Sequence, residues 1–144
     1  MKFVRLEFKH LEQMAEIERE AFDAPWSVAM FIPEVEDPCA HYVVGVRGED
    51  EVVCYGGFHQ ILDEGHITNI AVKSTERGRG IGRFLMSELI SRAKDAGITR
   101  MTLEVKDGNI PAIKLYESFG FKVEGVRKKY YENKFDALIM WLNL

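Results

Sequence analysis

The stretch HITNIAVKSTERGRGIGRFLMSELISRAKDAG, residues 66–97, decides the fold. Its apolar run Ile67 to Val72 reads as a strand, the polar segment Lys73 to Glu76 breaks the pattern, and Arg77-Gly78-Arg79-Gly80-Ile81-Gly82 turns the chain. Ile81, Phe84, Leu85, Leu89, Ile90 and Ala93 then recur at three- and four-residue spacing, which predicts an amphipathic helix to Ala96. Gly97 ends it, because glycine adopts the left-handed conformation common just past a helix C-terminus. The first N–H groups of such a helix have no intrahelical acceptor and carry the positive end of its dipole. Gly78, Gly80 and Gly82 let an anion approach that backbone, and Arg77, Arg79 and Arg83 add charge, so the turn predicts a phosphate site.

Spacing decides which phosphate. The P-loop order G-x-x-x-x-G-K-[ST] is absent, and a dinucleotide G-x-G-x-x-G fails because Arg83 stands where the third glycine belongs. The order that fits is Arg/Gln-x-x-Gly-x-Gly/Ala, at Arg77, Gly80 and Gly82.

Outward from this stretch, the upstream chain predicts a short strand at Lys2 to Leu6 and a helix from Leu11 to Phe22. After the break at Asp23 to Ser27, Ser27 can cap a second short helix, which Pro33 is expected to end. Tyr42 to Arg47 and Val52 to His59 read as a hairpin around Gly48-Glu49-Asp50, and Asp63-Glu64-Gly65 turns into the opening stretch. Downstream, Thr99 to Lys106 alternates as a strand, parallel to Ile67–Val72 because a helix connects the two. Asn109 caps a helix with Pro111 in its first turn and Gly120 past its end, and Phe121 to Val126 and Phe135 to Leu142 close as strands around a loop from Lys128 to Asn133.

A chain of 144 residues, 47% hydrophobic and 29% charged, suits one domain spanning 1–144. The net charge of −4 argues against nucleic-acid binding through a broad basic face. No apolar run nears the roughly 18 residues that span a bilayer, and Met1 to Gln13 lacks a signal-peptide core, so no membrane association and a cytoplasmic location are expected. Cys39 and Cys54 have no metal spacing and read as free thiols. The histidines at 10, 41, 59 and 66 likewise suggest no metal site, with strand-surface roles for His59 and His66.

A second motif follows the first: Asn109-x-x-Ala112-x-x-x-Tyr116-x-x-x-Gly120-Phe121. Together the two motifs, and the order β-α-α-β-β-β-α-β-α-β-β, resemble the GNAT superfamily of N-acetyltransferases over the whole chain. Within it the resemblance is to the ribosomal-protein alanine N-acetyltransferases, the RimI group, and archaeal relatives acetylating protein N-termini. It is carried by Ala24-Pro25-Trp26-Ser27, Asn69-Ile70-Ala71-Val72, Leu103-Glu104-Val105, Leu115-Tyr116-Glu117-Ser118 and Tyr130-Tyr131 before Asp136-Ala137-Leu138-Ile139-Met140. The resemblance implies a mixed α/β GNAT fold, a central mixed sheet of about seven strands flanked by about four helices. It also implies acetyl-CoA as cosubstrate with no metal, and a protein or peptide N-terminus, a ribosomal protein among the candidates, as acceptor. The chain is expected to be a monomer or weak homodimer.

Acetyl transfer needs a base for the attacking amine, polarisation of the thioester carbonyl and a proton for the leaving thiolate. An α-amine, pKa about 7.7 to 8.0, is roughly a tenth neutral at pH 7, against a few lysines in ten thousand. Glu104, on the polar face of its strand, is the candidate base; a solvated residue beside Lys106 is the alternative. Tyr116 is the candidate acid, and a core tyrosine is its alternative. Asn69 interrupts the alternation of its strand, as a β-bulge or splayed strand end would tolerate.

By resemblance, the backbone of Ile70, Ala71 and Val72 binds the thioester and pantetheine. Arg77, Gly78, Arg79, Gly80, Ile81, Gly82 and Arg83 hold the CoA pyrophosphate, and Asn109 contacts the cosubstrate or simply caps its helix. Trp26, Tyr130 and Tyr131 flank the peptide entrance, with Lys128, Lys129 and Lys134 as a basic rim that would favour an acidic peptide. The competing readings are acetylation of a small amine such as a polyamine, to which Asp23, Glu34, Glu36 and Asp37 would present carboxylates, or of a lysine side chain, and a non-catalytic CoA-binding interaction or sensor protein.

Overall fold

The computed structural model describes residues 1–131 and 135–144. Its elements are β1 (Lys2–Arg5), α1 (Leu11–Ala21), α2 (Val28–Glu36), β2 (Ala40–Arg47), β3 (Glu51–Ile61), β4 (Glu64–Val72), α3 (Ile81–Asp95), β5 (Arg100–Lys106), α4 (Ile110–Ser118), β6 (Lys122–Tyr131) and β7 (Phe135–Asn143). Short 3-10 turns lie at Phe8–His10 and Ser74–Glu76. The strands form one seven-stranded sheet in the order β1-β2-β3-β4-β5-β7-β6. Every pairing is antiparallel except β4 with β5, which the α3 crossover makes parallel. Among the described residues no helix is long and apolar enough to cross a membrane.

The two faces of the sheet carry separate cores. On one, Leu85, Met86, Leu89 and Ala93 of α3 pack on Phe58, Met101, Leu103 and Met140, with Ile113, Tyr116 and Phe119 from the α4 region at the margin. Phe84, expected on this face, is 63% exposed, and Met86 takes the buried place. The covered stripe runs through 85, 86, 89 and 93, and Phe84 lies one residue, about 100° of rotation, off its edge. On the other face, Leu11, Met14 and Ile17 of α1 and Phe31 of α2 pack on Tyr42, Val44 and Tyr55. No buried member of this second core comes from β5, β6 or β7.

Three local expectations change. Pro33 does not end α2, which runs on to Glu36 with Asp37 N–H donating to the Pro33 carbonyl at 3.1 Å. A proline there forgoes only the bond to Ala29, and the buried Phe31 with Val35 beside it keeps the helix on the sheet. The turn into β4 falls at Leu62-Asp63 rather than Asp63-Glu64-Gly65, with Leu62 in the left-handed region at φ 56°. Gly65 is a strand residue packed beneath Phe58 and Met101. Finally, β6 continues to Tyr131, so Lys128 to Tyr131 are strand rather than loop.

The feature that positions the site is a defect in β4. Gly57 pairs with Asn69 and Phe58 with Ile67, leaving Thr68 as an extra residue, which is the bulge that Asn69 suggested. Tyr42 pins it: its O–H donates to Asn69 Oδ1 at 2.8 Å, and Thr68 Oγ1 lies 2.6 Å from the Tyr42 hydroxyl oxygen. Burial pushes this phenol's pKa up, so it stays a donor. The Tyr42 ring lies directly over Gly57, where a Cβ would overlap it. On its other edge, β4 meets β5 at only three pairs, Glu64 with Arg100, Gly65 with Met101 and His66 with Thr102, and then the strands part.

Tyr42→Phe strands the buried Asn69 carbonyl oxygen and should lower the unfolding free energy by about 1–3 kcal/mol. Urea denaturation measures this; a loss below a few tenths of a kcal/mol would show that the bulge holds without its pin.

Candidate active site

Beyond Val72 the chain is clamped before it turns. Lys73 N–H donates to the Val53 carbonyl at 2.8 Å, and Glu76 is buried beneath the turn between Arg47 and Arg79, the latter at 3.2 Å. The Arg47 guanidinium, with Arg79 and Lys73 helping, holds the Glu76 carboxyl below the usual carboxylate range. Gly78 and Gly80 follow with φ of 77° and 78°, a conformation that costs other residues about 1–2 kcal/mol. Gly80 is the N-cap of α3 and offers no side-chain acceptor, so the first-turn N–H groups remain uncapped. A Cβ on Gly78 or Gly80 would project into open space. This is a cradle shaped for an anion, and the CoA pyrophosphate fits its charge and its open approach.

The three arginines do not point into the cradle equally. Arg77 Nε donates to the Val72 carbonyl at 3.2 Å, Arg79 is drawn to Glu76, and Arg83 Nη2 donates to Ser118 Oγ at 3.0 Å with its guanidinium 5.2 Å from the Phe119 ring centre. All three are exposed. They raise the potential around the turn from tethered positions, leaving direct anion contact to the backbone.

From the cradle the fork leads inward. Beyond the last pairing with β5, the backbone of Ile70, Ala71 and Val72 has strand partners only on β3, at Gly56, Tyr55 and Cys54. Its opposite edge faces the fork, where an acyl group's carbonyl and amides would find donors and acceptors.

Glu104 and Tyr116 flank the fork from opposite faces. Met101, Leu103 and Val105 of β5 are buried in the α3-side core, so strand alternation puts Glu104 on the other face, where its side chain is 29% exposed. Its carboxylate accepts from Arg127 Nε of β6 at 3.0 Å. Tyr116 is half-buried against the α3-side core, its ring 6.1 Å from that of Phe121. A Cβ on Gly82 would touch Leu115, so α4 lies alongside the first turn of α3 and brings Tyr116 to the cradle's side. Asn109 caps α4, its Oδ1 accepting from Ala112 N–H at 3.4 Å.

On the Glu104 face, His66 lies at the fork's root, opposite Thr102, edge-on to Trp141 and 3.1 Å from Glu64 Oε1. His59 bonds Glu34 at 2.5 Å. Glu34, Asp37 and His59 are the one group of three metal-ligand-type side chains converging within 4.8 Å among the described residues, and the Glu34–His59 bond accounts for their closeness. Cys39 and Cys54 are both free, and burial pushes the Cys54 thiol up to about 12.

Trp26 is half-buried, its ring 5.1 Å from Phe31, and its N–H donates to Glu18 Oε1 at 2.9 Å. Tyr130 is 53% exposed with the Arg127 guanidinium 5.5 Å from its ring centre. The Tyr131 side chain and Lys134 lie outside the described residues. Sequence reading missed two contributors here. Glu18 is buried and joins the Trp26 loop to the Tyr55 hydroxyl; its signal was a carboxylate four residues past Met14, inside the apolar stripe of α1. Arg127 gave no comparable signal, because charge is ordinary on an exposed edge strand.

A sheet forked between parallel strands, with a glycine-led, uncapped helix at its mouth, defines a transferase that takes its group from an acyl-CoA. The model of the acetyltransferase (GNAT) family matches residues 11–121, and the chain belongs to that family. It is 36% identical over 141 residues, 96% of this chain and 93% of the relative, to a putative [ribosomal protein bS18]-alanine N-acetyltransferase of Bacillus subtilis. To the [ribosomal protein bS18]-alanine N-acetyltransferase of Escherichia coli K12 it is 32% identical over 140 residues, 95% of this chain and 93% of the relative. The crystal structure of the ribosomal-protein-S18-alanine N-acetyltransferase from Escherichia coli superposes with a TM-score of 0.90 at 30% identity, covering 99% of this chain and 92% of that one. The expected fold and family therefore hold, and the chain is an acetyl-CoA-dependent N-acetyltransferase.

Gly80→Ala should cost about 1 kcal/mol of stability through its positive φ. It should also raise KM for acetyl-CoA roughly tenfold with kcat at saturation preserved, the pattern of lost uniform binding. Steady-state kinetics test it; an unchanged KM would place the anion elsewhere.

Proposed function

We propose that the chain transfers acetyl from acetyl-CoA to the α-amino group of a protein N-terminus, of the ribosomal-protein-alanine type, by direct attack in a ternary complex. The observation that carries this reading is the fork, with an open face bearing Glu104 on one side and the cradle and Tyr116 on the other. A cosubstrate and an acceptor can enter from opposite faces and meet between the strands. The acceptors named for the relatives support the choice of an α-amine.

When bound, acetyl-CoA supplies an activated acyl carbon and a thiolate leaving group. The α3 N-terminus and the glycine cradle hold the pyrophosphate, with Arg77, Arg79 and Arg83 raising the local potential, and Asn109 at the neighbouring α4 cap contacts the same molecule. The Ile70-Ala71-Val72 edge, through the outward N–H groups of Ile70 and Val72 with Ala71 bonded to β3 between them, orients and polarises the acyl carbonyl. Glu104, directly or through a water, takes the proton of the incoming ammonium, a modest task for an α-amine of pKa about 7.7 to 8.0. The Tyr116 hydroxyl gives a proton to the departing sulfur. Trp26, fixed by Glu18, and Tyr130 with Tyr131 flank the acceptor's path. Of the carboxylates a polyamine would need, Glu34 is bonded to His59 and Asp37 to the Cys39 N–H, which weakens that alternative. A ribosomal-protein acceptor implies a cytoplasmic setting.

Glu104→Gln should reduce kcat by about 10²–10⁴ with acetyl-CoA affinity retained. Tyr116→Phe should also reduce kcat, with KM values little changed. Normal turnover in either variant would return that residue to a structural role. In a thiol-release assay with mass spectrometry of the modified nitrogen, an Ala-initiated peptide should outpace lysine peptides and spermidine at least tenfold. Preference for either amine would overturn the acceptor assignment.

A further inference from the structure

Glu104 does not wait for its acceptor unaccompanied. Arg127 Nε of β6 donates to its Oε1 at 3.0 Å, and this is a cross-strand pair built by the sheet rather than a chance meeting of long side chains. Glu104 faces Ile139 of β7, and Arg127 faces Ala137 of the same strand, two residues along on the same face. Immediately beyond Arg127 the ladder breaks: Arg127 pairs with Ala137, and the next pair is Tyr131 with Phe135. Three residues of β6 thus bulge against one of β7. Lys129 in that bulge has φ 52°, and its N–H is held by Asp136 Oδ1 at 2.9 Å. The bulge turns Tyr130 back so that its ring lies 5.5 Å from the Arg127 guanidinium, within cation–π range.

We infer that Arg127 is a positioning residue for the acceptor: it is the internal counter-ion of Glu104, and the acceptor's α-ammonium takes its place. This rests on the reading of Glu104 as the base. At neutral pH about nine-tenths of α-amines arrive as ammonium. A cation approaching Glu104 must therefore compete with the guanidinium already on it. The Tyr130 contact is made while Arg127 is still on Glu104, so it keeps a hold on the guanidinium when the ammonium displaces it. A neutral ligand would not drive the exchange, which makes the pair a filter for cationic acceptors as well as a clamp on the carboxylate. The pair is partly exposed, at 29% for Glu104 and 58% for Arg127, so its strength is that of a screened ion pair.

The test measures Kd of an Ala-initiated peptide on the CoA-loaded enzyme by calorimetry, with kcat and KM alongside. Arg127→Met should tighten the peptide about two- to fivefold and lower its KM equally, leaving KM for acetyl-CoA unchanged. Arg127→Lys, which restores a cation, should return the peptide Kd toward wild type. In a Glu104→Gln background, Arg127→Met should leave Kd unchanged. Weaker peptide binding in Arg127→Met would mean that Arg127 binds the acceptor directly and would overturn the inference. So would an unchanged Kd in Arg127→Met, or the same tightening in the Glu104→Gln background. Wild-type turnover in Glu104→Gln alone would instead remove the base assignment, separating the two failures.

Discussion

The structure depends on the point at which two parallel strands stop pairing. Continuous hydrogen bonding between β4 and β5 would fill the middle of the sheet with backbone and leave no passage. The pairing ends after His66 and Thr102, and two residues further on the bulge at Thr68 redirects β4. The bulge is fixed from beneath by the Tyr42 hydroxyl, and Tyr42 fits because residue 57 has no side chain. A tyrosine, a glycine and an asparagine on three consecutive strands thus keep a defect open that hydrogen bonding would otherwise tend to close. The polar edge exposed by the fork becomes the surface on which an acyl group can be held.

An acidic protein also has to attract a polyanionic cosubstrate. A net charge of −4 cannot do this globally. The turn before α3 is the place equipped to do it locally, with an uncapped helix terminus whose field falls off within a turn and exposed arginines held around it. Glu76, set beneath the same turn, might be expected to oppose the anion, yet it is neutralised by Arg47 and Arg79 and serves to fix the turn's shape. The surface the turn offers to an anion is therefore mostly backbone, whose position follows from the left-handed glycines rather than from flexible side chains.

How much of this was legible in the sequence follows from how local each cause is. The β4-turn-α3 unit, the caps at Ser27 and Asn109 and the parallel crossover were readable, because each depends on residues within a few positions. The placement of Glu104 on the strand face away from α3 was readable from strand alternation. The helix past Pro33 was not readable, because Phe31 and Val35 held against the opposite face outweigh one missing hydrogen bond. Nor was the end of β6, where the pair Tyr131 with Phe135 carries the strand on beyond a three-residue bulge that reads as loop. Glu18 and Arg127 escaped for a related reason: each acquires its role from a partner more than twenty residues away or on a different element, Tyr55 for one and Glu104 for the other.

Under the proposed assignment, the placement of Glu104 and Tyr116 accounts for a sheet that is open in the middle. The α3-covered face carries Tyr116, and the opposite face, which α1 and α2 cover only over the first strands, presents Glu104 beside Arg127. In that reading the two groups reach the reacting atoms from opposite faces, so removal of the amine's proton and delivery of a proton to the sulfur are linked through the molecules lying in the fork. The arrangement also divides specificity cleanly. Backbone on the α3 side would recognise the cosubstrate by charge and shape, while side chains from the α1–α2 connection and from β6 would line the acceptor's side, where sequence can vary without disturbing the fork.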